Sequence, residues 1–217
     1  MCLLLIKPVW ALFGLNFCLS PVSPNGELLA SGGYEQTIKF WDVKTGECLQ
    51  TLQGHTNRVW AIAFSPAPSN RHLQGEILAS GGDDHNLKLW QVSTGECLKT
   101  LSGHTSQILS TLFLDNGTLV SSSADNTIKL WDTLTGECLR TLQGHSNWVW
   151  SLALSPNKQI LASGCQDETI KFWRVKAEKC LTTLRVSRPY EGMNITGVTG
   201  LNQATTATLK ALGAVEI

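Results

Sequence analysis

The 217-residue sequence has no surplus of charge: 17 Lys plus Arg stand against 17 Asp plus Glu, and the pI is near 6.9. That balance gives no electrostatic reason to expect a nucleic-acid backbone or an anionic membrane as the main partner. No run of eighteen uninterrupted apolar residues is present to make a spanning helix. The sequence also lacks a Cys-x-x-Cys or His-x-x-x-His pair for a compact zinc site, a Gly-x-x-x-x-Gly-Lys-Ser/Thr phosphate loop and a Gly-x-Ser-x-Gly nucleophile elbow. Met and Tyr are scarce at two each, yet there are eight Trp. Such a use of tryptophan asks for an explanation.

Seven Cys is an odd number, so one chain cannot pair them all. Cys48, Cys97 and Cys138 recur in Gly-Glu-Cys-Leu and Cys180 in Glu-Lys-Cys-Leu. Equivalent positions of successive units lie beyond the roughly 7 Å between α-carbons that a disulfide spans. They are read as reduced, strand-embedded thiols, which implies a reducing, cytoplasmic setting. The apolar segment Met1 to Ser20 has no basic start, and Lys7 and Pro8 interrupt it, which argues against a targeting peptide. Val9-Trp10-Ala11-Leu12 instead matches Val59-Trp60-Ala61-Ile62 and Val149-Trp150-Ser151-Leu152, as a repeated strand would.

The repeat is the main signal. Gly54-His55, Gly103-His104 and Gly144-His145 are spaced by 103 − 54 = 49 and 144 − 103 = 41 residues. Trp41, Trp90, Trp131 and Trp173 each close an Ile/Leu-Lys-Phe/Leu-Trp run, at spacings of 49, 41 and 42. The longer second unit carries a loop insertion at Ala67 to Glu76, where the fourth has only Asn157 to Gln159. Each unit reads as four short strands. In the fourth they fall at Trp148 to Leu154, Ile160 to Gly164, Thr169 to Val175 and Cys180 to Leu184, with Ser155-Pro156-Asn157 and Gln166-Asp167-Glu168 as turns. Large residues on both sides of the third strand mean that both faces of each small sheet need cover. Neighbouring copies of the same sheet supply it best.

Gly-His near the start, Leu-Ala-Ser-Gly in the second strand, Asp-x-Thr-Ile-Lys-Phe/Leu-Trp-Asp in the third and Thr-Gly-Glu-Cys-Leu in the fourth resemble the WD-repeat β-propeller family over roughly residues 9 to 185. The resemblance implies an all-β fold of four four-stranded blades, at about 9–53, 54–102, 103–143 and 144–185, as a partial or open propeller. A tail follows over 186–217. Arg188-Pro189 ends the last blade, Gly192 to Gly200 is expected to be flexible, and Asn202 caps a helix from Gln203 to Leu212 that Gly213 stops. Residues Arg188 to Ile195 and Leu209 to Glu216 are similar to the tail that closes WD-repeat regions of bacterial, cyanobacterial-type NB-ARC or NACHT signalling proteins.

Within that family a His, a Ser or Thr, an Asp and a Trp form a hydrogen-bonded chain inside each blade. The resemblance maps it onto His55, Ser80, Asp84 and Trp90; onto His104, Ser121, Asp125 and Trp131; and onto His145, Ser163, Asp167 and Trp173. Ser, His and Asp could also be read as a hydrolase triad. Three copies without an elbow favour a structural staple, because catalysis needs one nucleophile, an oxyanion hole and a cleft. Asp83, Asp84 and His85 could suggest a metal, but consecutive turn residues diverge, so no metal, cofactor or catalytic residue is assigned. The first unit lacks a Gly-His and carries Glu35 where the others carry Asp, so its tetrad is expected to be incomplete and its blade the least ordered.

A propeller offers partners a rim of turns leading into its innermost strands. Arg58, Gln107 and Trp148 vary there on a constant frame, and Tyr34 lies near the same rim, with Asp83, Ala124 and Gln166 as second choices. Arg and Trp are frequent hot-spot residues. Four blades in an open row also leave two apolar faces bare, which points to self-association, as two chains making eight blades, or to a piece of a larger propeller. The reading is a non-catalytic protein-interaction scaffold or ligand-sensing module of a bacterial signalling assembly. Its alternatives are a propeller hydrolase or lyase with a central-channel site and a truncated remnant without function.

Overall fold

The structure is a computed structural model that describes residues 17–18, 21–66, 76–175, 177, 179–185, 193–196, 198–199, 203–211 and 214–216. The expected strand at Val9 to Leu12, most of the insertion at Ala67 to Glu76, Arg188-Pro189, Asn202 and Gly213 lie outside the described residues, as do Gly192, Gly197 and Gly200 of the Gly192 to Gly200 stretch. Two compact units are present, Met1–Thr183 and Leu184–Ile217.

The first unit is a row of antiparallel four-stranded sheets, the blades of an open propeller. Blade one holds β1 (Phe17–Cys18), β2 (Leu28–Gly33), β3 (Ile38–Asp42) and β4 (Cys48–Leu52). Blade two holds β5 (Val59–Phe64), β6 (Ile77–Gly82), β7 (Asn86–Gln91) and β8 (Cys97–Ser102). In blade three come β9 (Ile108–Phe113), β10 (Thr118–Ser123), β11 (Ile128–Asp132) and β12 (Cys138–Leu142). Blade four has β13 (Val149–Leu154), β14 (Ile160–Cys165), β15 (Thr169–Arg174) and β16 (Lys179–Arg185).

The register repeats with the sequence. Leu29 pairs with Trp41, Leu78 with Trp90, Leu119 with Trp131 and Leu161 with Trp173. Because side chains alternate along a strand, β3 turns Ile38 and Phe40 to one face and Trp41 to the other, and its counterparts do the same. Each sheet is therefore apolar on both sides and cannot be stable alone. The core lies between blades: Ala30, Ile38, Phe40 and Leu52 of blade one pack with Val59, Leu78, Trp90 and Val92 of blade two. Val120, Ile128, Leu130 and Leu142 of blade three meet Val149, Leu161, Trp173 and Val175 of blade four in the same way. Burial of one such side chain is worth about 1.5–3 kcal/mol, so the joints between blades dominate stability.

The second and third strands of every blade meet at a tight turn whose third residue has positive φ: Gln36 (64°), His85 (64°), Asn126 (70°) and Glu168 (65°). The residue before each is the tetrad position, Glu35, Asp84, Asp125 or Asp167. The four repeated cysteines lie in the outermost strands as free thiols, most of them at the surface. Cys48, Cys97 and Cys138 are exposed free thiols opening the outermost strand, and Cys180 is half-buried. Cys48, Cys97 and Cys138 pair with Trp41, Trp90 and Trp131, a β-bulge leaves the leucine after each out of the ladder, and each thiol lies near the carbonyl two residues on.

In the second unit, α1 (Gln203–Ala211) is followed by a return that brings Val215 into a parallel bridge with Asn194. Among the described residues no helix is long and apolar enough to cross a membrane.

Candidate functional site

Each complete tetrad runs from the blade interior to its turn. In blade three the indole N–H of Trp131 donates to Ser121 Oγ at 2.8 Å, Ser121 Oγ lies 2.7 Å from His104 Nε2, and His104 Nδ1 lies 2.7 Å from Asp125 Oδ2. Blade two repeats it with Trp90, Ser80, His55 and Asp84 at 2.8, 2.7 and 2.7 Å. Blade four repeats it with Trp173, Ser163, His145 and Asp167 at 2.8, 2.7 and 3.1 Å. One proton arrangement satisfies every group: indole to hydroxyl, hydroxyl to imidazole, imidazole to carboxylate. The buried indole N–H would otherwise go without an acceptor at a cost of about 1–3 kcal/mol.

The glycine before each histidine is required by this packing. Gly54 has φ +154°, and a Cβ there would stand 2.9 Å from Cη2 of Trp90. In blade one the described residues make the inner half alone, Trp41 to Ser31 at 2.7 Å. Glu35 turns outward to Lys39 Nζ at 2.9 Å.

The carboxylates Asp84, Asp125 and Asp167 sit below the ordinary range. Burial alone would raise them; hydrogen bonds from the histidine, the following backbone amide and, for Asp125 and Asp167, a threonine hydroxyl more than offset it. His145 is also lowered, by burial foremost, against the opposing pull of Asp167. The serines are sealed: Ser80 and Ser121 have no exposed surface and Ser163 has 1%. A nucleophile that no substrate can reach performs no acyl transfer. The arrangement can hold a sheet to its turn.

His145, Cys165 and Asp167 place three metal-ligand atoms within 4.8 Å of one another. All are occupied by protein partners: Cys165 Sγ donates to the Asn147 carbonyl and accepts from the Asp167 amide. In blade three Ser123 does both tasks, with the Ser106 carbonyl and the Asp125 amide. Cys165 therefore stands in for a serine, and burial pushes its thiol up. The Asp83, Asp84 and His85 run is divided in the same manner, since Asp83 takes the Trp60 indole and Asp84 takes His55.

The rim residues occupy equivalent backbone positions. The carbonyls of Arg58, Gln107 and Trp148 accept from the amides of Asp83, Ala124 and Gln166. Two residues beyond each, the innermost strand bulges. Val59 pairs with Gly82 and Ala61 with Gly81, leaving Trp60 out of the ladder; Leu109 and Trp150 are left out likewise. A bulge bends the strand and re-aims the extra side chain. Trp60 donates to Asp83 Oδ1 at 2.6 Å and meets the edge of Tyr34 at 5.9 Å, with the Arg58 guanidinium 4.2 Å above the Tyr34 ring. Trp150 donates to Gln166 Oε1 at 2.7 Å and lies 5.4 Å from Trp148. Trp148 and Trp150 remain 43% and 45% exposed.

Tyr34 and Arg58 are thus brought together, Trp148 joins Trp150, and Gln107 accepts from Ser106 Oγ at 2.6 Å. Sequence reasoning missed Trp60 and Trp150, treating them as strand markers. Their signal was a tryptophan directly after the first valine of a repeated strand, but the bulge that frees it has no signature in one sequence.

Comparison with known proteins gives a match to the family model described as WD domain, G-beta repeat over residues 15–42, 46–91, 95–132 and 136–174. Over 49 residues the chain is 47% identical to nuclear distribution protein PAC1 of Arthroderma benhamiae, a span of 23% of this chain and 10% of that protein. It is 38% identical over 58 residues to WD repeat-containing protein pop2 of Schizosaccharomyces pombe, 27% of this chain and 8% of that protein. With the PAC1 protein of Mycosarcoma maydis it shares 49% identity over 41 residues, 19% of this chain and 9% of that protein. The chain spans about a tenth of the length of these relatives.

These findings correct one expectation. The family match ends at residue 174 and the relatives named above are fungal, so neither the likeness of the tail to bacterial NB-ARC or NACHT proteins nor a place in a bacterial signalling assembly is sustained. The physical reason is the small number of constraints in the tail. One nine-residue helix and one bridge fit many chains, whereas a four-fold register fits few.

Proposed function

The chain belongs to the WD domain, G-beta repeat family, and from that premise we propose that it is a non-catalytic interaction scaffold that binds a protein segment across its rim. The observation that carries this reading is the pair Trp148 and Trp150, nearly half exposed and yet fixed, because the bulge sets the backbone and Gln166 holds the indole. Exposed, rigid aromatic side chains gain contact area on binding with little loss of conformational freedom. Tyr34, Arg58 and Trp60 form a second patch in which the guanidinium is already ordered over a ring.

Against a hydrolase or lyase stand the sealed serines and the strands β5, β9 and β13, built of Val, Trp, Ala, Ile, Leu, Phe, Ser and Thr, which carry no acid. The test is affinity capture with the natural chain, with Trp148→Ala/Trp150→Ala, and with Leu139→Ala, which alters an exposed residue of an outermost strand. Partners kept by Leu139→Ala and lost by the double variant support the rim. An unchanged set of partners refutes it.

A further inference from the structure

Blade four differs from its neighbours at one position of the tetrad turn. Where the second strand ends, blades one, two and three carry Gly33, Gly82 and Ser123, and blade four carries Cys165. The change brings a thiol to a histidine and a carboxylate: one ligand atom each of His145, Cys165 and Asp167 lie within 4.8 Å of one another. The ring nitrogen on that side is Nδ1, which faces Asp167 Oδ2 while Nε2 faces Ser163.

The spacing suits an ion as well as a hydrogen bond. Bonds of about 2.0–2.2 Å to nitrogen and oxygen and about 2.3 Å to sulfur set the ligands of tetrahedral zinc roughly 3.3–3.7 Å apart. His145 Nδ1 and Asp167 Oδ2 stand at 3.1 Å, whereas the 2.7 Å of blades two and three is too close for two ligands of one ion. The thiol needs no more than about 1.5 Å of travel to join them, which rotation about its Cα–Cβ bond supplies.

The partners that orient such ligands are already in place. Asp167 Oδ1 is held by the amide and hydroxyl of Thr169, which leaves Oδ2 for an ion. The Asp167 amide donates to Cys165 Sγ at 3.3 Å, a bond that strengthens when the sulfur is a thiolate. For Nδ1 to bind, the imidazole proton must sit on Nε2, which then donates to Ser163. Ser163 Oγ can accept it because its own hydrogen has a second acceptor, the Lys171 carbonyl at 3.5 Å. The Trp173 indole keeps its acceptor throughout. The bonds exchanged for the ion are those from the thiol to the Asn147 carbonyl and from Nδ1 to Asp167.

We propose that His145 Nδ1, Cys165 Sγ and Asp167 Oδ2 bind a thiophilic divalent ion, Zn2+ foremost, with water in the fourth position. A thiolate beside an imidazole and a carboxylate favours Zn2+ over Mg2+ and Ca2+, which take sets of oxygens. Binding releases the thiol proton to solvent, and the imidazole stays neutral as it changes tautomer. Cys165 and Asp167 flank Gln166, whose side chain holds the Trp150 indole, so the ion fastens the turn that carries this contact. The site uses no rim side chain and stands apart from the partner-binding reading.

Titration of Co2+ and Zn2+ into the natural chain, Cys165→Ser and Cys138→Ser tests it, with thiols kept reduced and far-UV circular dichroism to verify folding. A serine at 165 can make both bonds of the thiol, as Ser123 does in blade three, so Cys165→Ser is expected to fold. Cys138→Ser removes an exposed thiol of an outermost strand and controls for adventitious binding to the other cysteines. The natural chain and Cys138→Ser are expected to show the sulfur-to-metal charge-transfer band of tetrahedral Co2+, saturating at one ion per chain. Cys165→Ser is expected to lose the band and to bind Zn2+ about a hundredfold or more weakly. Zinc-edge X-ray absorption is expected to show a single sulfur at about 2.3 Å with nitrogen and oxygen completing the shell. Absence of the band, its survival in Cys165→Ser or two or more sulfurs around zinc each overturns the inference. Trp148→Ala/Trp150→Ala keeps the ion, which separates the failure of this site from that of the rim.

Discussion

His145 Nδ1 lies 3.1 Å from Asp167 Oδ2, whereas the same pair is 2.7 Å apart in blades two and three. The looser contact accompanies a histidine whose proton affinity in the folded chain is below its ordinary value of 6.5, chiefly through burial. Protonation then favours the unfolded state: the stability tied to His145 is complete above pH 6.5 and is lost as pH falls below it. The lowered Asp84 and Asp125 act in the same sense but only as pH falls below their ordinary 3.8. Blade four is expected to weaken first between pH 7 and 5. Amide exchange compared between β14 and β10 across that range reads this directly, and equal changes in the two strands would count against it.

Removal of the central hydroxyl should cost more in a complete tetrad than in the half one. Ser121→Ala strands both Trp131 Nε1 and His104 Nε2 at fully buried sites, a loss of about 2–4 kcal/mol. Ser31→Ala removes one hydrogen bond, that from the half-buried Trp41 indole, and should cost about 1 kcal/mol. Urea midpoints of the two variants decide whether the tetrads staple the blades as argued.

Glycine to alanine in the second strands should depend on what lies above. Gly81→Ala pushes on Ile108 at 2.6 Å and on Leu87 at 3.1 Å, an overpacking that costs about 1–3 kcal/mol. Gly82→Ala meets the Arg58 carbonyl at 1.9 Å, and no side chain can yield there, so this variant should lose most. Gly164→Ala faces, among the described residues, a serine hydroxyl that can rotate away, and its melting temperature should be close to that of the parent.

The turns store strain that can be relieved. Gln36 holds φ +64° with an exposed side chain. A non-glycine residue there costs of order 1–3 kcal/mol, partly offset by the unfolded-state entropy of glycine. Gln36→Gly is expected to raise stability by about 0.5–1 kcal/mol in thermal or urea unfolding. A fall would mean that the side chain contributes contacts that outweigh the strain.

Much of the fold was legible because the repeat states it four times. Strand bounds in the fourth unit agree with the structure to within one residue, since the turns Ser155-Pro156-Asn157 and Gln166-Asp167-Glu168 punctuate alternating apolar runs. The incomplete first tetrad was legible too, because Glu35 is one methylene longer than its counterparts and turns to Lys39. The exposure of the cysteines was not, because Gly-Glu-Cys-Leu does not tell which residues of an outermost strand face solvent. The tail misled for the opposite reason: with few apolar positions and no repetition, likeness alone supplied its reading.

The bulges that exclude Trp60, Leu109 and Trp150 from pairing have a consequence for how such a surface changes over generations. A residue that contributes nothing to the ladder can be exchanged without disturbing register, so recognition and architecture are inherited on separate positions. Leu109 is buried, so the positions that can vary in this way are Trp60 and Trp150, where a single substitution changes the surface at little risk to the fold.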